Sequence, residues 1–110
     1  MYKKVKFTYE EIIEMLKELN VIVVSYDKMG SYYHDYEERW REYADEATKF
    51  TDNNRICNRI SKIRYIISSR FNETYNDKTI EKSYEVFDKL KYWENPGDDL
   101  LPFEDIDDDS

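Results

Sequence analysis

The chain carries its apolar residues in four stripes at helical spacing. Ile12, Leu16, Leu19, Val23 and Tyr26 follow one another at steps of four, three, four and three, which holds them within a narrow arc of a helix. Just ahead, Thr8 stands three residues before Glu11, the spacing of a reciprocal capping box, with Phe7 and Ile12 placed as a hydrophobic staple. Gly30 and Ser31 then predict a C-cap followed by a new N-cap, so a second helix is expected from about Tyr32 to Lys49. Its stripe is aromatic: Tyr36, Trp40, Tyr43, Ala47 and Phe50. The cluster "TDNN" at residues 51–54 reads as the next helix start, and Ile56, Ile60, Ile63, Ile67 and Phe71 form the cleanest amphipathic pattern in the chain. Asp77 is the expected N-cap of a last helix, which carries Ile80, Tyr84, Phe87 and Leu90 and stops at Asn95, Pro96 and Gly97.

These four stripes predict an all-α fold, a small bundle of about four amphipathic helices over residues 1–94, followed by a disordered acidic tail over residues 95–110. Two glycines and two prolines in 110 residues disfavour a turn-rich β architecture. The competing fold is α+β, because "VIVVSY" is rich in β-branched residues and allows a short hairpin between residues 2–7 and 21–26. Core packing is the simpler reading of the aromatic stripe, and a partner-binding surface the functional one, since Tyr and Trp dominate both cores and interface hot spots.

Charge changes the picture more than composition does. The formal net charge is −8, yet seven of the 25 acidic residues lie past Asn95, where there is no base. The remaining eighteen face seventeen bases, so the body is almost neutral. Within it the signs are segregated. The second helix holds Asp35, Glu37, Glu38, Glu42, Asp45 and Glu46 against Arg39, Arg41 and Lys49, with Glu37–Arg41 and Asp45–Lys49 placed as acid-first surface pairs. The third holds Arg55, Arg59, Lys62, Arg64 and Arg70 and no acid. Two uses of these bases compete: contact with phosphates, with Tyr65 available to stack on a base, or register-fixing pairs with the acidic second helix.

Catalytic chemistry finds little support. His34 is the only histidine, no Ser or Cys motif accompanies it, and no Gly-rich phosphate loop is present. Carboxylates at helical spacing without a His partner read as a solvated face, so neither a metal nor another cofactor is expected. Cys57 lies beside the isoleucine stripe and is expected as a small buried residue; a lone cysteine fits a reducing cytoplasm. The longest purely apolar run, residues 21–24, is too short to span a bilayer, so no membrane partner is expected.

The segment "DDLLPFEDIDDDS" sets a small apolar island among carboxylates, as short linear binding motifs do, although a solubilising terminus has the same composition. Its first six residues, Asp98 to Phe103, are similar to the acidic tip of bacterial single-stranded DNA-binding proteins, which docks on replication and repair enzymes. That resemblance implies that Asp98, Asp99 and Phe103 contact a protein, with Glu104 and Asp105 supplying a carboxylate. More broadly, the short, acidic, helix-rich chain resembles small phage-encoded inhibitors of the anti-CRISPR and anti-restriction kind. The expectation is a non-catalytic inhibitor that covers the basic nucleic-acid-binding surface of a host defence nuclease through Asp35, Glu38, Glu42, Asp45 and the tail. The alternative is a nucleic-acid-binding accessory factor that uses Arg55, Arg59, Lys62 and Arg64, its tail recruiting replication or repair proteins.

Overall fold

A computed structural model of the protein describes residues 2–35 and 37–98. Asp99, Phe103, Glu104 and Asp105 of the expected partner-binding tail lie outside them, as does Tyr36. The described residues form four α-helices, α1 (Tyr9–Tyr33), α2 (Trp40–Asn53), α3 (Ile56–Thr74) and α4 (Asp77–Asp88), with a 3-10 turn at Glu37–Arg39. No strand occurs among them, and residues 21–26, half of the alternative hairpin, are helical throughout. The fold is therefore all-α. The chain divides into two compact units, Met1–Tyr75 and Asn76–Ser110.

In the first unit the capping box starts α1 as its spacing predicts. Thr8 N–H donates to Glu11 Oε1 at 2.9 Å, and Glu11 N–H donates to Thr8 Oγ1 at 3.1 Å. The helix then runs through Gly30 and Ser31 to Tyr33, where a break was expected. A glycine inside a helix costs only about 1 kcal/mol relative to alanine. Here the last turn is held by aromatic contacts: Tyr33 meets Tyr43 edge-on at 5.6 Å and Tyr32 at 4.9 Å. Thr51, Asp52 and Asn53 likewise belong to the end of α2 and not to the start of α3. Thr51 Oγ1 donates to the Ala47 carbonyl at 2.7 Å and also bonds the Tyr26 hydroxyl. The turn that follows is only Asn54 and Arg55, the latter in the left-handed region at φ 50°.

α1 packs on α3, and α2 packs on both. The most deeply buried residues are Ile22, Ile56 and Ile63, each at most 9 % exposed. This corrects the expected core. Ile12, Leu16, Leu19 and Val23 are between 40 and 60 % exposed, and the inward face of α1 instead runs through Glu11, Glu18, Ile22, Tyr26, Met29 and Tyr33. The reason lies in the charges. Glu11 and Ile12 are about 100° apart on the helix, so rotating α1 to bury the stripe would withdraw Glu11, Glu14 and Glu18 from the bases of α3. Length contributes too, since α2 at 14 residues is much shorter than α1 at 25, and its ring contacts with α1 involve only Tyr26 and Tyr33. Cys57, expected to be buried, is an exposed free thiol.

In the second unit Asn76, one residue earlier than expected, caps α4 by accepting from Thr79 N–H at 3.0 Å. The helix ends at Asp88, well before Asn95. Its last carbonyls are taken by tight turns, Lys89 N–H to Val86 and Leu90 N–H to Phe87, and by the Tyr92 hydroxyl, which donates to the Phe87 carbonyl at 3.1 Å. Tyr84, Phe87 and Leu90 are all at least half exposed.

Candidate functional site

Three ion pairs run along the contact between α1 and α3. Arg70 Nε donates to both Glu11 oxygens at 2.9 Å, Lys62 Nζ pairs with Glu14, and Arg59 Nη1 donates to Glu18 Oε2 at 2.9 Å. Partners rise along one helix as they fall along the other, so the helices are antiparallel. Glu11 serves twice, closing the helix cap and receiving Arg70, which also donates to Glu73 at 2.8 Å. Arg59 serves twice as well, since its Nε donates to the Asn54 carbonyl at 2.9 Å and ties the α2–α3 turn to the ladder.

These bonds shift the titrating groups. The Arg70 hydrogen bonds and the Thr8 N–H hold Glu11 below its ordinary 4.5, and the Lys62 bond holds Glu14 below the same value. Glu14 in turn raises Lys62 above 10.5. The unfolded chain takes up protons near 4.5 that the folded chain still refuses. Stability from the carboxylates is therefore present above that value and lost as pH falls through the depressed folded values. The Lys62 contribution is complete below 10.5 and lost as pH rises through its raised value. Melting temperature should accordingly form a plateau between about pH 5 and 10 and drop at each end, with a shallower acid arm in Glu14→Gln. An acid arm identical in that variant would show that the Lys62–Glu14 bond contributes nothing.

The expected pairing of basic α3 with acidic α2 is thus replaced by pairing with α1. Of the four proposed nucleic-acid contacts, Arg59 and Lys62 are ion-paired, while Arg55 and Arg64 are exposed and lie outside the ladder. Arg55, Asn58, Arg59 and Lys62 do line a cleft of about 350 Å³, but Glu18 lines it with them.

The carboxylates of α2 and its approach are left facing solvent. Glu37, Glu38, Asp45, Glu46 and Asp52 are exposed and form no ion pair among the described residues. Glu42 accepts from Arg39 Nε at 2.7 Å, and Asp35 lies 3.2 Å from His34 Nδ1. The surface pairs Glu37–Arg41 and Asp45–Lys49 do not form; Arg41 sits over the Trp40 ring instead, 5.4 Å from its centre. Asp98, expected to meet a partner, closes a local turn. Its carboxylate accepts from the N–H groups of Glu94 and Asn95 at 3.0 Å each, which lowers its pKa, and Gly97 takes the φ of 96° that the turn requires.

The aromatic stripe of α2 divides between the two roles open to it. Tyr43, Ala47 and Phe50 turn inward, with Phe50 meeting Tyr26 edge-on at 5.2 Å, whereas Trp40 is 63 % exposed. Trp40 borders a cleft of about 410 Å³ with Gly30, Tyr33, His34, Glu37 and Tyr43. Sequence pattern missed this cleft, because it depends on α1 continuing past Gly30. It also missed the ladder, although the carboxylate spacing at 11, 14 and 18 beside an apolar stripe was a signal for it.

Among the described residues no group of three or more His, Cys, Asp or Glu side chains is placed to hold a metal ion, and no helix is long and apolar enough to cross a membrane. The chain matches no family model, and neither a curated protein nor a solved structure matches it.

Proposed function

We propose that the chain is a non-catalytic, cytoplasmic protein-binding inhibitor of the phage or mobile-element type, which covers the basic nucleic-acid-binding surface of a host defence nuclease such as a CRISPR effector. One contrast carries the proposal: the bases of α3 are largely neutralised by α1, whereas Glu37, Glu38, Asp45, Glu46 and Asp52 are not neutralised by any base of the described residues. Unpaired surface carboxylates favour a basic partner and give up only hydration to reach it, while ion-paired bases must also give up a bond before meeting a phosphate. In sequence, the tail adds seven charges of the same sign.

The test is Glu38→Lys with Asp45→Lys, both exposed, so the helical content should be unchanged. Affinity purification from the host followed by mass spectrometry identifies the partner. Association with it should then slow about ten-fold or more in the variant, and the wild-type complex should weaken as salt rises. On an immobilised single-stranded oligonucleotide the wild-type chain should elute at low salt. Strong retention there, abolished by Arg55→Glu with Arg64→Glu, would instead establish the accessory-factor alternative.

A further inference from the structure

The cleft at the corner between α1 and α2 combines ring faces with a carboxylate. Tyr33, Trp40 and Tyr43 supply the rings, and Glu37 the charge. The walls are held: Tyr33 and Tyr43 meet edge-on at 5.6 Å, and Gly30 adds no side chain between them, an added Cβ lying 4.0 Å from the Tyr43 hydroxyl. The surrounding field is negative, since residues 35–46 contain six carboxylates against Arg39 and Arg41. Arg39 bonds Glu42, and Tyr33 ionises less readily than usual because of burial and the nearby charge of Glu46.

Guanidinium groups of the chain itself already lie over rings at this corner. The Arg39 guanidinium lies over Tyr33 at 5.2 Å and over Tyr32 at 5.9 Å, and that of Arg41 over Trp40 at 5.4 Å. Each ring has two faces, and a guanidinium can stack on an electron-rich face while its N–H groups bond a carboxylate at the side, so the two attractions hold one group together. We infer that this cleft is a receptor for one arginine side chain of a protein partner, stacked on Trp40 or Tyr33 and bonded to Glu37. The inference deepens the proposed inhibitor function and rests on it for the partner, but the cleft can be tested with a small probe alone.

The probe is the tripeptide acetyl-Gly-Arg-Gly-amide, titrated at constant ionic strength into the isotope-labelled full chain. The Trp40 indole N–H resonance reports binding, and that of Trp93 is the control. A saturable shift confined to Trp40 is expected, with a dissociation constant in the millimolar range, as for a single exposed cation–π contact assisted by one carboxylate. Glu37→Gln should weaken it about three-fold or more, Trp40→Ala should abolish binding followed through Glu37 and Tyr43 backbone amides, and the citrulline analogue should not bind. Equal shifts at Trp93, equal binding of citrulline, or an unchanged affinity in Glu37→Gln would overturn the inference, and equal binding of the lysine analogue would overturn its assignment to arginine. Failure of the tripeptide alongside loss of partner binding in Glu38→Lys with Asp45→Lys would remove the cleft and leave the acidic face standing. The reverse result would remove the inhibitor reading and leave the cleft.

Discussion

Arg59→Glu combined with Lys62→Glu should unfold the first unit or lower its melting temperature by about 10 °C or more. The two new carboxylates would face Glu18 and Glu14 across the α1–α3 contact, where the Glu18 side chain is only 14 % exposed. Like charges held there lose hydration without gaining a partner, and the bond from Arg59 to the Asn54 carbonyl that anchors the α2–α3 turn is lost as well. Adding Glu14→Lys and Glu18→Arg to the same chain restores opposite charges in inverted order and should recover most of the stability. The measurement is thermal unfolding by circular dichroism of the wild type, each reversed pair and the fourfold variant, taken as a double-mutant cycle. Independent, additive effects of the two reversals would mean that the ladder is decoration on a contact held by apolar packing alone. The consequence for function is practical: these bases cannot serve as a neutral control for binding, because changing them alters the fold.

Ile63→Ala should cost about 2–4 kcal/mol in urea denaturation, whereas Leu16→Ala should cost less than about 1 kcal/mol. Both residues belong to apolar stripes of comparable regularity. They differ in what surrounds them, since Ile63 is 8 % exposed and Leu16 is 47 % exposed. Removing three carbons from the first leaves a void in the packed face of α3; removing them from the second trims a surface. With only three of the described residues so deeply buried, the loss at Ile63 is a large share of what a small domain possesses. Comparable losses at the two positions would place the Ile12–Leu16–Leu19–Val23 stripe in the core after all.

The contrast between those two isoleucine- and leucine-bearing stripes also shows what the sequence disclosed. Local signals were legible. The Thr8–Glu11 capping box depends on four consecutive residues and forms as its spacing dictates. Ile56 and Ile63 of the α3 stripe are buried, whereas Ile60 and Ile67 of the same stripe are about half exposed. What depends on a partner helix was not legible. The stripe on α1 marks where hydrophobic residues are, but the side of α1 that turns inward was decided by Arg59, Lys62 and Arg70, more than forty residues away. Gly30 looked like a terminus because glycine is a poor helix former, and Tyr43, thirteen residues on, kept the last turn wound. The acidic residues of the candidate site were expected together on the second helix, but Asp35 and Glu38 precede α2, which begins at Trp40. Which of them remain free of bases was not visible until α1, and not α2, proved to be the counter-charge of α3.

The hydroxyl of Tyr75 donates to the carbonyl of Lys3 at 2.5 Å, and the rings of Tyr2 and Tyr75 meet edge-on at 6.2 Å. Two points 72 residues apart along the chain are thus neighbours in space. The first unit is in effect a closed circuit whose entrance and exit coincide, with the chain passing out at Asn76 beside where it came in. Sequence joined at either point leaves beside the start of α1, away from the corner that holds Trp40, so a label or fused domain placed there has the length of α1, about 38 Å, between it and the arginine-binding cleft. A circularly permuted unit, reopened at the two-residue turn of Asn54 and Arg55, keeps the three ion pairs between α1 and α3 and relieves Arg55 of its left-handed backbone, but gives up the bond from Arg59 to the Asn54 carbonyl.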